Sequence, residues 1–587
     1  MPSEASEVRL CFDFTGLEST SPLKSLEFTR PVGLVTAYSV EEVVPALRAV
    51  EDAVAKQGLY AAGFVSYEAA PAFDAAMQVP CASPLPLVWF GLFTGPTTSE
   101  PRSAPACFTT PNWETALSEA QFRQDIAQIR ESIGEGEFYQ VNHTMRLRTR
   151  FRGDDFAWYR RLQAAQRARY SAYLDLGRYR ILSVSPELFL HRIGDCIVTR
   201  PMKGTMPRGR WAEEDRQRAD ELAASEKERA ENLMIVDLLR NDLGRIARTG
   251  SVRVENLFAI ERYPTVLQMT STVSAELRPE TTLADLFTAL FPCGSVTGAP
   301  KISAMRRISL LETEPRQIYC GAIGYLVPNG PTVFNVAIRT VLLDTETGDA
   351  EYGVGSGITW DSTPEGEYAE NRLKAQVLEQ VWPPFDLLET LRLERGAYSL
   401  FQRHLDRACA TALYFGIPLT AEAVRSALES HAHSLDAGPW RIRLLASQGG
   451  EIRVETHTLA ALPAEGVRAA LARSPISRTD RFLFHKTTHR AAYATRRAER
   501  PDVEETLLWN EEGELTEFTI GNLVVEQNGS RWTPPLDCGL LPGTLRAELL
   551  ANGEIFERVL RFADLDAATA VWRINSLRGW TPVVIVP

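Results

Sequence analysis

Four glutamates form two pairs with the same spacing. Carboxylates in this arrangement could bind a metal ion. Glu228 and Glu231 lie in one segment with a helical pattern, and Glu367 and Glu370 lie in another. Residues three apart share one face of a helix. Carboxylates from two such faces could converge on one hard cation, and Mg²⁺ prefers oxygen ligands while keeping several waters. Taken alone, each pair is more often a solvated helix face than a metal site.

The segments around these pairs predict the elements that position them. Residues 178–200 predict successive strands around a Gly-Asp turn. Residues 211–246 and 365–381 predict two helices, because their apolar residues recur at helical spacing. The glycine-rich run 353–357 lacks the full spacing of a nucleotide-binding loop. This mixture predicts an α+β chain built on antiparallel sheets, and it does not indicate a Rossmann sheet.

The length of 587 residues exceeds what one hydrophobic core usually serves, so two or more domains are expected. The paired prolines in "VWPPFD", residues 381–386, cannot continue the preceding helix. We therefore predict a first domain over 1–382 and a second over 385–587. Within the first domain, a loop over 95–111 divides an N-terminal part, 1–110, from a catalytic core, 111–382.

Composition excludes several classes of partner. The formal charge is −12 and no long basic run occurs, so no nucleic-acid partner is expected. The eight cysteines are scattered without a CxxC pair, which argues against a disulfide framework or a zinc site. The N-terminus does not have the pattern of a signal peptide, and no apolar run is long enough to span a membrane. A cytoplasmic protein without a membrane partner is expected.

Several distinctive segments between residues 119 and 381 resemble the chorismate-utilising enzymes, which include anthranilate, aminodeoxychorismate, isochorismate and salicylate synthases. They are, in chain order, "GEFYQVNHT", "SPELFL", "RPMKGTMPRG", "ERAENLMIVD", "CGSVTGAPKISAM", "VAIRT" and "EGEYAENRLKA". The resemblance implies that Glu231 and Glu370 bind Mg²⁺ directly, with Glu228 and Glu367 acting through water. The ion would hold the ring carboxylate of chorismate.

The same resemblance implies contacts for the second carboxylate of chorismate, on its enolpyruvyl group. Arg339 and Tyr319 would meet this carboxylate, helped by the backbone N–H groups of Gly355 and Gly357. Thr297 and Gly298, in the matching "VTGAPK" loop, are expected to line the same site.

Lys203 and Gln140 indicate which member of this family the first domain resembles most. Lys203 in "RPMKGT" matches aminodeoxychorismate synthases, whereas anthranilate synthases usually carry alanine there. The resemblance implies that Lys203 attacks carbon 2 of the ring, and that Glu187 protonates the leaving 4-hydroxyl. Gln140 stands where isochorismate-forming relatives have a basic lysine, and its amide cannot activate water. An anthranilate or salicylate synthase is the alternative that Lys203 and Gln140 oppose.

A source of ammonia is also needed. None of the eight cysteines lies in a glycine-flanked turn of the kind found in class I glutaminases. Ammonia is therefore expected from a separate glutaminase subunit or from solution.

From residue 385 onward, a second set of segments resembles the fold-type-IV pyridoxal-phosphate (PLP) enzymes, which include branched-chain and D-amino acid aminotransferases and aminodeoxychorismate lyases. The segments are "LLETLRLERGAYSLFQRHLDRA", "FHKTTHR", "LTEFTIGN", "GLLPGTLR" and "INSLRGW". The resemblance implies that Lys486 bonds the cofactor covalently, that Arg407 binds its phosphate and that Glu517 faces its ring nitrogen. The two phosphate loops would contain Thr519, Ile520, Gly521, Asn522, Gly543 and Thr544.

Together the two resemblances imply two-step synthesis of 4-aminobenzoate, a folate precursor, from chorismate. The second domain would release pyruvate from 4-amino-4-deoxychorismate, with Lys486 as the base at carbon 4. Thr390 is a candidate for assisting the leaving pyruvate, and Arg443, Asn575 and Arg578 are candidates for contacting carboxylates. The alternatives for this domain are an aminotransferase and a non-catalytic module that recruits the glutaminase. The segment before "LLETLR" is shorter than in the family, so the domain is either completed by the fusion or trimmed.

Overall fold

The computed structural model describes residues 8–15, 25–80, 83–97, 107–110, 112–459 and 466–587. The chain divides into two compact units. The front unit comprises residues 1–208 and 218–382, and the rear unit comprises residues 209–217 and 383–587. The predicted loop over 95–111 lies largely outside the described residues. The predicted limits of 1–110, 111–382 and 385–587 stay predictions.

Two large antiparallel sheets form the described part of the front unit. In order across the first sheet, the strands are Gly298–Ala299, Gln140–Arg150, Asp349–Ile358, Thr340–Asp344, Tyr179–Ser185, Tyr170–Asp175, Arg9–Phe14 and Leu26–Thr29, with Glu114–Thr115 also paired to Gln140–Arg150. In the second sheet they are Met202–Pro207, Val266–Glu276, Cys196–Arg200, Leu188–Ile193, Thr332–Val336, Ala322–Leu326, Tyr60–Val65, Val88–Phe93 and Gly33–Ala37, with Arg253–Arg262 paired to Val266–Glu276. Phe108–Thr109 pairs with Arg152–Gly153.

The two sheets pack on each other through one apolar cluster. Phe12 and Ile181 come from strands of the first sheet, and Phe64 and Ile323 come from strands of the second. Apolar side chains from facing sheets interdigitate to form a core of this kind. The predicted succession of strands over 178–200 is confirmed as Tyr179–Ser185, Leu188–Ile193 and Cys196–Arg200.

The helices follow the sequence pattern with two differences. They are Val40–Gln57, Glu119–Gly134, Asp155–Gln166, Ala212–Ala224, Glu226–Gly244, Leu283–Leu290, Lys301–Leu311, Pro364–Ala375, Phe401–Phe415, Ala421–Ala432, Ala491–Glu499, Thr544–Ala551 and Phe562–Asp566. The helix predicted over 211–246 is divided at Ser225, whose hydroxyl caps the second helix at the Glu228 N–H. The helix predicted over 365–381 ends at Ala375 and continues as a 3₁₀ turn, Gln376–Leu378.

The rear unit contains two further sheets over its described residues. The smaller has the strand order Ala397–Tyr398, Leu387–Glu394, Trp440–Ala446 and Ile452–Thr458. The larger has the order Leu515–Phe518, Glu505–Trp509, Val467–Leu471, Gly579–Ile585, Ala570–Asn575, Gly521–Gln527, Ser530–Thr533 and Phe556–Glu557. The predicted α+β class, with an antiparallel-sheet front part and a smaller rear part, is confirmed.

Two predictions from composition can be compared with the structure. Seven cysteines lie among the described residues and all seven are free thiols, while Cys81 lies outside them. In the part of the chain that the structure describes, no helix is both long enough and apolar enough to cross a membrane. The cytoplasmic location stays a prediction.

Candidate active sites

Lys203 and Glu187 line one cavity of the front unit. Lys203 is the second residue of strand Met202–Pro207, and Glu187 directly precedes strand Leu188–Ile193 in the same sheet. Both side chains are buried. Gly357, on strand Asp349–Ile358, forms part of the same wall. A Cβ atom at Gly357 would lie 2.5 Å from Lys203 Nζ and 1.9 Å from Gln140 Nε2, so both side chains end directly above this glycine.

Burial changes the ionisation of this pair in opposite directions. Loss of solvent lowers the pKa of the Lys203 amine, because a cation is less stable away from water. The same loss raises the pKa of the Glu187 carboxyl to about 7. A neutral amine can act as a nucleophile, and a carboxylic acid with this pKa can donate a proton near neutral pH. Both shifts favour the neutral forms of the amine and the carboxyl, which nucleophilic attack with acid assistance requires.

The four predicted glutamates line this same cavity. Glu228 and Glu231 extend from helix Glu226–Gly244, and Glu367 and Glu370 extend from helix Pro364–Ala375. Burial raises the pKa of Glu231 to about 7, although the charge of Lys203 opposes this increase. Although burial opposes it, Lys374 lowers the pKa of Glu370, and the Lys374 Nζ lies 2.7 Å from its Oε1. Four carboxylates that converge in a buried cavity require positive charge to remain ionised together.

These glutamates fit a cation that also binds water and substrate. Glu367 Oε2 is buried and has no hydrogen-bond partner among the described residues. Among the described residues, no group of three or more histidine, cysteine or acidic side chains is arranged to hold a metal ion by itself. A Mg²⁺ ion with two direct carboxylate ligands would take its remaining ligands from water and substrate oxygens. This coordination is the one that Mg²⁺ prefers, and it agrees with the unpartnered Glu367 oxygen and with the lack of a complete protein ligand set among the described residues.

Arg339 supplies a cation on another wall of the front cavity. The residue is 8% exposed, and its Nη1 is buried without a hydrogen-bond partner in the part of the chain that the structure describes. Burial lowers the pKa of Arg339, since no carboxylate of the described residues forms an ion pair with it. Tyr319 also lines the cavity, and a Cβ atom at Gly353 would lie 2.3 Å from its ring. An unsatisfied buried guanidinium of this kind is suited to an anionic ligand.

A second cavity, of about 590 Å³, lies in the rear unit. Lys486 extends into it from the segment after the 3₁₀ turn Arg481–Leu483. Burial lowers the pKa of the Lys486 amine to about 8, and the charge of Arg407 contributes to this decrease. No hydrogen bond or ion pair of the Lys486 side chain is present among the described residues. A buried, weakly basic lysine is suited to bonding a carbonyl carbon.

Glu517 lies on strand Leu515–Phe518 and faces the same cavity. Burial raises the pKa of its carboxyl to about 7. The Tyr493 hydroxyl donates to Glu517 Oε1 at 2.7 Å and the Leu541 N–H donates to the same oxygen at 2.9 Å. Asn522 Nδ2 donates to the other oxygen at 3.1 Å. These three donors hold the carboxylate in one orientation, as an acid that bonds a ring nitrogen requires.

Cationic and dipolar groups occupy another part of the rear cavity. Arg407 lines it, and Glu389 holds the guanidinium by two hydrogen bonds of 2.8 and 2.6 Å. Although burial opposes it, Arg407 and His404 together lower the pKa of Glu389 to about 2. Helix Thr544–Ala551 begins at the same wall, with Gly543 as its N-cap. A helix N-terminus beside an arginine is a suitable binding site for a phosphate group.

Comparison with known proteins agrees with this geometry. The family model described as "chorismate binding enzyme" matches residues 14–380. The chain belongs to this family. A second family model, described as "Amino-transferase class IV", matches residues 386–586, which is nearly the whole of the rear unit after Pro383.

Three relatives illustrate how this chorismate binding enzyme compares with characterised proteins. It is 43% identical over 261 residues to aminodeoxychorismate synthase component 1 of Salmonella typhimurium, covering 44% of this chain and 57% of that protein. It is 42% identical over 267 residues to anthranilate synthase component 1 of Aquifex aeolicus, covering 46% of this chain and 54% of that protein. The chain thus spans little more than half the length of these relatives. The structure of anthranilate synthase component I from Streptococcus pneumoniae aligns with a TM-score of 0.52 at 28% identity, over 60% of this chain and 91% of that one.

The structure brings most of the predicted site residues together. Those that line the front cavity are Glu187, Lys203, Glu228, Glu231, Tyr319, Arg339, Gly355, Gly357, Glu367 and Glu370. Those that line the rear cavity are Thr390, Arg407, Lys486, Glu517, Thr519, Ile520, Gly521, Asn522, Gly543, Thr544, and the candidates Arg443, Asn575 and Arg578. Their individual roles stay predictions.

Thr297 and Gly298 are placed differently. Neither lies on the wall of the front cavity as the structure defines it. Gly298 pairs with Val141 in the first sheet, and the Asn142 N–H donates to the Thr297 carbonyl oxygen at 2.8 Å. They therefore support the strand that carries Gln140, and direct contact with substrate stays a prediction.

Several residues in or beside the two cavities were not predicted from the sequence, and three of them bear on the chemistry. Lys374 donates to the Gly355 carbonyl oxygen at 2.9 Å, and its position four residues after Glu370 was an available signal. Glu389 is the buried partner of Arg407, and only its place in "LLETLR" pointed to it. Arg441 lines the rear cavity, and its position two residues before the candidate Arg443 on the same strand was an available signal.

Proposed function

We propose that this chain makes 4-aminobenzoate from chorismate in two steps: amination in the front unit, then pyruvate elimination in the rear unit. Sequence identity does not choose between the two front activities, because relatives of both names match at 42–44%. The observation that supports amination at carbon 4 is the position of Lys203. Its amine is buried, lies above Gly357 and shares a cavity with the buried acid Glu187.

The proposed amination uses Lys203 as a temporary substituent of the ring. The Lys203 amine bonds to carbon 2, the ring double bonds shift, and the 4-hydroxyl leaves as water with a proton from Glu187. Ammonia then bonds to carbon 4, the double bonds shift back, and the bond between carbon 2 and nitrogen breaks. Lys203 is thereby regenerated, and the net change replaces the hydroxyl by an amino group with release of water.

Two sets of charges would orient chorismate for this reaction. Arg339 would bind the enolpyruvyl carboxylate through its unpartnered Nη1, near Tyr319 and the backbone of Gly355 and Gly357. Glu231 and Glu370 would hold Mg²⁺, and Glu228 and Glu367 would bind its waters. Bound Mg²⁺ would neutralise the ring carboxylate, which otherwise faces four glutamates.

The rear residues fit pyridoxal phosphate. Three protein groups match the three functional groups of this cofactor. The buried Lys486 matches its aldehyde, the fixed Glu517 carboxylate matches its ring nitrogen, and Arg407 beside a helix N-terminus matches its phosphate. Pyridoxal phosphate would supply an electron sink for negative charge at carbon 4. Lys486 would bond the cofactor until the 4-amino group of the substrate takes its place, and the freed Lys486 amine would then remove the proton from carbon 4. Cleavage of the bond between carbon 3 and oxygen then releases pyruvate and makes the ring aromatic.

Ammonia is proposed to come from a separate glutaminase, as the name "component 1" of the relatives indicates for those proteins. The test is product analysis of the purified chain with chorismate, Mg²⁺, ammonium and pyridoxal phosphate. We expect 4-aminobenzoate and pyruvate in equal amounts. Formation of anthranilate would overturn the front assignment. Accumulation of 4-amino-4-deoxychorismate without pyruvate would overturn the rear assignment and favour the interaction module.

A further inference from the structure

Arg441 lines the rear cavity from strand Trp440–Ala446. Its Nε is buried without a hydrogen-bond partner, and no acidic side chain of the described residues forms an ion pair with it. Arg441 as a whole is half-buried, and removing even part of a guanidinium from water is unfavourable unless an anion or another acceptor takes the place of the water. Arg441 is therefore a cation in a ligand cavity whose hydrogen-bonding capacity the protein does not use.

Three other arginines of the same cavity are neutralised by the protein. They form the pairs Arg407–Glu389, Arg443–Glu455 and Arg573–Glu505, with nitrogen–oxygen distances of 2.6, 2.9 and 3.1 Å. Arg441 and Arg443 lie two residues apart and hence on one face of their strand. The neighbouring strand supplies an acid opposite Arg443, but it places His457 opposite Arg441.

Further positive charge surrounds Arg441. Arg392 lies opposite it in register on strand Leu387–Glu394, and the Nε of Arg392 is also buried without a partner. Arg392 Nη2 donates to Glu394 at 2.8 Å, so Arg392 is partly compensated. Burial, followed by the charges of Arg573, Arg441 and Arg392, lowers the pKa of Arg578, which lines the cavity. An anion bound among these groups would offset their mutual repulsion.

We propose that Arg441, with Arg578 and with Arg392 beside it, forms a subsite of the rear cavity that binds a carboxylate of the amine substrate. The planar fork of a guanidinium matches a carboxylate by two parallel hydrogen bonds, and a buried pair of this kind also selects for charge. The inference rests on the proposed elimination, whose substrate carries two carboxylates and whose product keeps one. The proposal assigns substrate recognition to Arg441 rather than to Arg443. Arg441 has no acidic partner among the described residues, whereas Glu455 already neutralises Arg443.

The test uses the full-length chain loaded with pyridoxal phosphate. Pyruvate release from 4-amino-4-deoxychorismate is measured for the wild type, Arg441→Gln and Arg441→Lys. Loss of a charge-assisted hydrogen-bonded pair should raise KM by ~10–100-fold in Arg441→Gln, with little change in kcat. Arg441→Lys should recover part of this loss. Arg453→Gln is the matched control, because it removes one positive charge from an exposed residue of the next strand, outside the cavity lining.

Two further measurements make the result decisive. Thermal unfolding of Arg441→Gln should occur at or above the wild-type temperature, because an uncompensated charge is removed; an arginine with a structural role would show a lower temperature. Direct binding of 4-aminobenzoate is compared with binding of aniline, which lacks the carboxylate. If Arg441→Gln binds 4-aminobenzoate more weakly but aniline as before, the subsite binds the ring carboxylate. If KM rises while 4-aminobenzoate binding is unchanged, the subsite binds the enolpyruvyl carboxylate.

An unchanged KM and unchanged 4-aminobenzoate binding in Arg441→Gln would overturn the subsite. A raised KM in Arg443→Gln with a normal KM in Arg441→Gln would transfer the role to Arg443 and overturn it as well. Failure of the wild-type chain to release pyruvate would be a failure of the proposed function instead. In that case the comparison of 4-aminobenzoate with aniline, which needs no turnover, tests the subsite for the ring carboxylate: weaker 4-aminobenzoate binding by Arg441→Gln would support it, and unchanged binding would overturn it.

Discussion

Adding one methyl group at Gly357 should disable the front site while the fold remains intact. In Gly357→Ala the new Cβ would lie 2.5 Å from Lys203 Nζ and 1.9 Å from Gln140 Nε2. Non-bonded heavy atoms are comfortable at about 3.5 Å. The Lys203 amine must therefore retreat by about 1 Å, and the Gln140 amide by more. Both groups are the ends of flexible side chains, so they should move while the strands stay in place.

The expected effect on amination follows from this displacement. Misplacing a reacting group by about 1 Å can lower a rate by ~10²-fold. We therefore expect kcat for 4-amino-4-deoxychorismate formation to fall by ~100-fold, measured with chorismate, Mg²⁺ and ammonium. Pyruvate release from supplied 4-amino-4-deoxychorismate should be unchanged, because it takes place at the rear cavity.

Gly244→Ala is the matched control for Gly357→Ala. It adds the same methyl group at the end of helix Glu226–Gly244, where a Cβ atom would have no heavy atom within 4 Å. This control should keep wild-type activity in both assays. If Gly357→Ala also aminates chorismate at the wild-type rate, the position of Lys203 above this glycine is not needed for the reaction, and the reasoning is refuted.

The remaining predictions concern the groups that the two steps require. Lys203→Ala should abolish 4-amino-4-deoxychorismate formation and keep the wild-type unfolding temperature; full product formation by this variant would contradict its role as nucleophile. Glu231→Gln and Glu370→Gln should each lower turnover by at least ~10-fold at low Mg²⁺, and a variant that keeps wild-type activity there identifies a residue that is not a ligand. Lys486→Ala should stop the chain at 4-amino-4-deoxychorismate, which added wild-type protein should convert to 4-aminobenzoate and pyruvate; pyruvate released by the variant itself would show that another base acts at carbon 4.

Features set by neighbouring residues could be predicted from the sequence. The i, i+3 spacing of Glu228 and Glu231 was sufficient to place both on one helix face, and both line the cavity. The division of the long helix at Ser225 was also encoded, since serine followed three residues later by Glu228 is a helix-start pattern. The prediction missed it because the helical spacing of apolar residues continues through this position.

Features set by strand register could not be predicted in this way. Glu455 neutralises Arg443, and His457 stands opposite Arg441, only because strand Ile452–Thr458 pairs in one particular register. A shift of one residue would exchange the faces of the strand and hence the charge partners. The sequence contains both arginines two residues apart, but it does not show which one lacks an acid. The pairing of Gly298 with Val141 is a further example, because these residues are far apart in the chain.

The rear unit does not consist only of residues that follow the boundary predicted at 381–386. It also includes an earlier segment of the chain, which lies beside Lys486. Residues 209–217, which follow the Lys203 strand in the chain, belong to the rear unit. The Trp211 ring packs on Phe484 with centroids 5.1 Å apart, and the carbonyl oxygen of Arg210 lies 3.1 Å from His485 Nε2. Phe484 and His485 directly precede Lys486, so a segment from the first half of the chain fixes the backbone that carries the rear lysine. The two family patterns divide the chain between residues 380 and 386, whereas packing and hydrogen bonding define the unit that positions Lys486.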